Sequence, residues 1–311
     1  MEPLDSGTSR DRREAVALKG MLALIRWLGP RRGLAFGLGL GSFMSRFVPL
    51  RRGVALANLL AAFPDSTEKQ RRAIYRSMCR SLGVVISDFA RWPLMSASDF
   101  VEYVDIEGME NLERVRDRAG GTLMLTGHFG NWELTSAVVA SLGIPVTVLG
   151  ARHRNPVVER LFTDYRIASG VSELTLRQGL KPLVETLRRG DVVGSLADQD
   201  GGADGFFVDF LGRPASVQAG LFRLAARMKV PVLTCFTMRA GTRWRMVCEP
   251  PFELEGIDPD RPEDVARGLA TAYTRRLEAR VREHPDHWFW VHRRWKTRPP
   301  GETGPDASSG R

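Results

Sequence analysis

Apolar positions along the chain change rhythm near residue 95. Ile74, Met78, Leu82, Val85 and Phe89 recur every three or four residues, the stripe of a long amphipathic helix. Asp65 with Glu68 three residues on reads as a capping box at its start, and Pro93 as its stop. Short aliphatic and β-branched runs follow at 101–106, 121–126, 144–149, 171–176, 191–197, 230–237 and 244–250. Helical patterns lie between most of them, at 131–142, 155–168, 179–189 and 216–228, and a last long helix covers 263–283. Strand–helix alternation of this kind predicts an α/β fold with a mostly parallel central sheet and helices on both faces.

Ahead of that pattern lies a different texture. From Ala15 to Pro64 there is no acidic residue, while Lys19, Arg26, Arg31, Arg32, Arg46, Arg51 and Arg52 are interleaved with leucine, tryptophan and the run GLAFGLGLGSFM. The apolar stretch from Gly33 to Ser45 falls well short of the roughly 20 residues a spanning helix needs. An interfacial segment with its arginines at anionic lipid fits that pattern; a buried helix pair packed on the main domain is the alternative. The expected organisation is a disordered start (1–14), a helical membrane-associating region (15–95), an α/β domain (96–299) and a disordered tail (300–311).

Composition narrows the class. At 311 residues, 43% hydrophobic and 26% charged, the chain can bury a full core, which excludes wholesale disorder. A net charge of +9 favours anionic partners: nucleic acid, phospholipid headgroups or an acidic carrier protein. Cys79, Cys235 and Cys248 are too few and too scattered for a disulfide framework, and reduced thiols in a cytoplasmic compartment are expected. Nothing calls for a cofactor or a metal.

The candidate chemistry sits in GTLMLTGHFGNWELTSAVV, residues 121–139. His128 falls just past a strand end, where functional groups of such sheets gather, and Glu133 falls in the first turn of the next helix. Glu133 on one ring nitrogen would leave the other facing outward as a general base. Backbone N–H groups at Gly130 and Asn131 would serve a developing oxyanion. A helix-capping histidine beside a surface glutamate shares this spacing, so spacing alone leaves the matter open. There is no Gly-x-Ser-x-Gly elbow for an acyl-serine route, and no second histidine close by for a metal.

The string LTGHFGNWEL resembles the first block of the lysophospholipid acyltransferase superfamily, and more closely its lipid A biosynthesis (lauroyl and myristoyl) acyltransferase branch. SLADQDGGADGFFVDFLGRPASV (195–217), NPVVERLFTDYRIASG (155–170) and REHPDHWFWVHRRWKTRP (282–299) are similar to three further blocks in the same order, and the likeness runs from about Leu22 to Pro299. It implies direct acyl transfer from a thioester to a lipid hydroxyl, with His128 as base, Glu133 as its orienter and Arg166 as a phosphate-binding residue. Asp198 and Asp200 should face the same crevice, binding sugar hydroxyls, pairing with Arg166 or shaping a turn; Asn131 and Arg213 are further substrate-binding candidates. Ahead of Asn155 this chain reads GARHRNP where the family often has Arg-Pro and two variable residues, so no role is carried over to Arg152 or Arg154.

The donor expected is acyl carrier protein, or acyl-CoA, and the acceptor a lipid A-type glycolipid precursor at the cytoplasmic face of a bacterial inner membrane. Rival readings are the same chemistry on a phosphatidylinositol mannoside, an ornithine lipid or a lysophospholipid, and a non-catalytic basic protein that binds membrane or nucleic acid. The aromatic and basic residues of 288–298 suit either a headgroup boundary or a core against the sheet.

Overall fold

The computed structural model describes residues 8–48, 50–116, 120–150, 155–175 and 179–301. At its centre lies β2 (Thr122–Thr126), buried at every position. A strand covered on both faces needs neighbours on both edges, and β2 runs between β5 (Val192–Leu196) and β8 (Val232–Ala240). Beyond β5 come β3 (Val146–Gly150) and β4 (Val171–Thr175); beyond β8 come β9 (Arg243–Cys248) and β1 (Val104–Glu107). This seven-stranded sheet is parallel except at β8–β9, a hairpin that turns at Gly241 in left-handed backbone. The expected α/β architecture is therefore present.

Alternation along β2 divides the core. Leu123 and Leu125 point to one side, where they meet α8 (Leu180–Arg188), α9 (Ala219–Met228) and α10 (Pro262–Glu283). Met124 points to the other, into a cluster with α3 (Glu68–Arg91), α4 (Ala97–Tyr103), α5 (Met109–Arg116) and α6 (Trp132–Ser141). A separate antiparallel pair, β6 (Phe206–Phe210) and β7 (Arg213–Val217), was not visible in the hydrophobic pattern; it takes Ser216 and Val217 from the helix expected there.

Other boundaries moved for local reasons. Residues 101–103, expected in a strand, end α4, because Ser96 and Asp99 form a capping box that starts a helix there. The cap of α3 is Thr67 with Gln70, not Asp65 with Glu68. Residues 9–14, expected to be disordered, open α1 (Ser9–Phe47), whose start is held by a box between Thr8 and Asp11. The expected ends at 1–7 and 302–311, Leu176, and Arg152 and Arg154 lie outside the described residues. Cys235 and Cys248, thirteen apart in sequence, stand opposite each other in the β8–β9 register and are joined as a disulfide, contrary to the expectation of free thiols; Cys79 is free and buried.

α1 is broken at Gly29 (φ 72°), just before Pro30, and leads through residue 50 to α2 (Arg52–Ala62). No single helix among the described residues is long and apolar enough to cross a membrane. α1 instead packs on α3 along Gly33, Gly37 and Gly41, facing Gly83 and Ser87. The backbones touch: a Cβ added at Gly37 would stand 2.6 Å from the Gly83 carbonyl oxygen. Its outer face leaves Val16, Leu24, Trp27, Phe43 and Phe47 exposed. The segment is thus packed on the main domain along one face, and leaves apolar side chains exposed on the other. Gly37→Val should push the helices apart and destabilise the fold by about 1–3 kcal/mol. Gly39→Ala, two residues on with open space at its Cβ, should stabilise it slightly. Chemical denaturation of the two variants compares them directly.

Candidate active site

β2 and β5 are paired in register Thr126 with Leu196. Two residues further on, past both strand ends, the same pairing brings His128 beside Asp198. Asp198 Oδ1 lies 2.8 Å from His128 Nδ1, and Asp198 Oδ2 accepts from the His128 backbone N–H (2.8 Å) and the Trp288 indole N–H (2.9 Å). Glu133, expected on the ring, is elsewhere. It projects from the first turn of α6 toward α7 (Pro156–Ala168), where Arg166 Nε and Nη2 donate to its two oxygens at 3.0 and 2.6 Å. The third guanidinium nitrogen, Nη1, donates to Glu173 at 2.9 Å.

Two expectations are corrected here. The carboxylate that fixes the imidazole is Asp198, because it continues the strand next to His128, whereas the α6 backbone carries Glu133 away from it. Arg166 does not extend a free fork for phosphate, because Glu133 and Glu173 occupy all its nitrogens in a buried ion-pair triad. A third correction concerns the oxyanion: the Gly130 N–H donates to the His287 carbonyl and the Asn131 N–H to that of Thr237, so neither faces the cleft.

The other candidates have structural partners. Asn131 caps α6 through the Leu134 N–H, and its amide nitrogen approaches Asp88 at 3.4 Å. Asp88, fully enclosed, also accepts from Tyr103 and Trp244. Its carboxyl is pushed up to about 6 because burial disfavours the charge more than those donors favour it. Asp200 accepts from the backbone and hydroxyl of Thr297 and from the Gly202 N–H, tying down the C-terminal segment. Arg213 lies over the Trp295 ring.

The C-terminal segment builds the floor of the site. Trp288, Trp290 and Trp295 are core residues, which decides against the headgroup boundary for this string. The Phe289 N–H donates to the His128 carbonyl. Asn58 of α2 donates to the carbonyls of Trp290 and His292, both at 2.7 Å. His292 is thereby held with its ring centroid 4.7 Å from that of His128. Gln199, next to Asp198, stands between them: its amide nitrogen is 3.3 Å from His128 Nε2 and 3.2 Å from His292 Nε2. Neither Gln199 nor His292 was singled out from sequence, though both lie inside strings that were quoted.

Tautomers follow from donor counting. Nδ1 of His128 faces a carboxylate and so carries the hydrogen, leaving the lone pair on Nε2, where the Gln199 N–H donates. Burial alone would lower the His128 pKa, but the Asp198 charge and hydrogen bond, with Glu133 further off, outweigh it and the net shift is upward. Burial would raise that of Asp198, yet the His128 charge and the donors from His128 and Trp288 hold its carboxyl well below the usual range. His292 is pushed down to about 4, chiefly by burial, then by His128, with Arg51 contributing less, and stays neutral near pH 7.

An apolar cavity of about 350 Å³ opens beside this group. Trp132 and Glu133 of α6, Leu22 of α1, Val85 and Phe89 of α3 and Phe162 of α7 are among the residues that line it. The Trp132 ring stands 5.3 Å from the imidazole of His128. A carboxylate-held base at the carboxyl end of a parallel sheet, next to an apolar slot, is an arrangement suited to deprotonating a hydroxyl beside a hydrocarbon chain.

Residues 12–297 match the family model described as bacterial lipid A biosynthesis acyltransferase, and the chain belongs to that family. It is an acyltransferase. Its relatives include the lipid A biosynthesis lauroyltransferase of Escherichia coli (strain K12), 29% identical over 275 residues and covering 85% of each chain. The palmitoleoyltransferase of the same strain is 27% identical over 272 residues, 86% of each. A phosphatidylinositol mannoside acyltransferase of Mycobacterium tuberculosis (strain CDC 1551 / Oshkosh) is 26% identical over 227 residues, 70% of each.

Asp198→Asn removes the charge that raises the His128 pKa, so the imidazole should titrate at lower pH in the variant than in the native protein. Nitrogen-15 NMR of the ring across a pH series reads this. An unchanged midpoint would contradict the electrostatic coupling.

Proposed function

We propose that the protein transfers a fatty acyl chain from acyl carrier protein to a hydroxyl of a lipid A-type glycolipid precursor, at the cytoplasmic face of the inner membrane. The observation that carries this reading is the 2.8 Å contact between Asp198 and His128 Nδ1, which leaves Nε2 as a base beside the apolar slot. The lipid hydroxyl replaces the Gln199 amide at Nε2 and gives up its proton there. The resulting oxygen nucleophile attacks the thioester carbonyl. Collapse of the tetrahedral oxyanion breaks the carbon–sulfur bond, and the departing thiolate takes the proton from Nε2. Asp198 stays ionised throughout and stabilises the transient imidazolium. A thioester is already activated, so a base and an oxyanion donor suffice without a covalent intermediate.

The displaced Gln199 amide is the oxyanion donor in this scheme, since its N–H groups already stand within reach of the reacting atoms. Glu133 and Arg166 act at one remove: their ion pair fixes the start of α6, which carries Trp132 in the wall of the slot. The acyl chain occupies the slot formed by α1, α3 and α7, which gives the N-terminal helix a place in the reaction as well as at the membrane. Its exposed Trp27 and Phe47, with the acid-free sequence around them, support an interfacial location. A basic surface suits an acidic carrier protein as donor.

The mannoside relative supports a second acceptor, since a carbohydrate hydroxyl of a glycolipid is common to both. Parallel assays of lipid A-type and phosphatidylinositol mannoside acceptors with the same acyl donor separate them.

His128→Ala should abolish transfer, and Asp198→Asn should lower kcat by about 10²–10⁴-fold while acceptor binding persists. Turnover retained by purified His128→Ala protein would remove the base from the scheme. Val85→Phe, which fills the slot, should shift the product toward shorter acyl chains when donors of different length compete. Mass spectrometry of the products reads the shift.

A further inference from the structure

A second feature, separate from the His128 cleft, lies where the C-terminal end of α1, the first turn of α2 and the N-terminal half of α3 meet. A groove of about 880 Å³ there is lined by Arg46, Arg52, Arg72, Arg76 and Arg80. Arg72, Arg76 and Arg80 follow one another at four-residue intervals, so they share a helix face and span about 12 Å. Such a gathering of cations is repulsive unless something offsets it. Arg72 reaches Glu68 one turn back, at 49% and 64% side-chain exposure, a pair worth little in water. Arg52, Arg76 and Arg80 meet no carboxylate among the described residues.

The rim of the groove identifies what balances the charge. Phe43 and Phe47, with ring centroids 5.0 Å apart, are 56% and 64% exposed, and Val48 beside them is exposed too. Phe43 and Phe47 touch each other, and the Arg46 guanidinium lies over the Phe47 ring, yet both rings stay more than half exposed. Exposed rings favour an apolar phase and guanidinium groups an anion, and both demands are met within about 5–10 Å at a lipid headgroup layer. An acidic protein would offer the charge but not the apolar phase. The guanidinium fork also suits phosphate oxygens better than a point cation does.

We propose that this groove is a binding site for the phosphate of an anionic membrane lipid, with Phe43 and Phe47 inserted beside it. It anchors the end of α1 at the headgroup layer and so orients the neighbouring His128 cleft toward the bilayer. The proposal rests on the membrane location argued above and not on the chemistry at His128.

The test is co-sedimentation of full-length protein with vesicles of phosphatidylglycerol or of phosphatidylcholine. Arg76→Gln/Arg80→Gln should weaken binding to phosphatidylglycerol by about fivefold per arginine removed and leave binding to phosphatidylcholine unchanged. Arg76→Lys/Arg80→Lys should keep most of the affinity, and matching melting curves show that the variants fold. Arg227→Gln/Arg275→Gln, on α9 and α10, removes the same charge outside the groove and should change binding little. Equal losses in the two Gln pairs would reduce the effect to net charge and overturn the site. Unaltered vesicle binding in Arg76→Gln/Arg80→Gln, with weakened binding of acyl carrier protein, would hand the groove to a protein partner and overturn it as well. Detergent-solubilised turnover, which reads His128, should match the native protein in the Arg76/Arg80 variants; a loss there would mean the groove belongs to the reaction site.

Discussion

A single buried carboxylate organises the site. Asp198 gathers donors from three directions: the His128 ring, the His128 backbone and the Trp288 indole. Left unpaired, a charge so enclosed would be strongly unfavourable; with three donors it is stable, and it locks together parts of the chain far apart in sequence. β5 supplies the carboxylate, the turn after β2 supplies the base, and the C-terminal segment supplies the indole. None of the three has its geometry without the other two.

That dependence explains what could be read from sequence and what could not. The sheet was legible because its buried strands are unbroken aliphatic runs, and the helices between them follow a three-to-four period. His128 was legible as a strand-end residue. Its partner was not, because a carboxylate five residues away looks nearer than one seventy residues away until the β2–β5 pairing is known. Glu133 and Arg166 were both picked out, but were assigned to the His128 ring and to phosphate when they bind each other. Gln199 and His292 escaped because an amide and a histidine inside a tryptophan-rich string carry no spacing signal. The β6–β7 hairpin escaped for a related reason: the glycines and aspartates just ahead of it, at 198–205, look like loop, and its strands are fixed by pairing with each other.

The N-terminal helix carries apolar side chains on two faces. Glycines at 33, 37 and 41 let α1 lie directly on α3, and ahead of the break at Gly29 Leu22 enters the wall of the slot beside Trp132. The opposite face of the same helix keeps Val16, Leu24 and Trp27 bare. One element therefore lines an apolar cavity on its inside and leaves apolar side chains bare on its outside, as the proposed transfer of a chain from a bilayer requires.

The charges around His128 decide how the base works. Asp198 and, further away, Glu133 favour the protonated ring, which makes Nε2 a stronger base but leaves less of it free at neutral pH. Two features limit that cost. Arg166 neutralises much of the Glu133 charge, and Gln199 donates to the unprotonated Nε2 and so favours the reactive form. Under the proposed mechanism the site thus keeps the carboxylate that stabilises the imidazolium formed during transfer, and sets an amide against premature protonation. In the proposed scheme Asp198 supplies the strength of the base, and Gln199 keeps it available until a hydroxyl arrives.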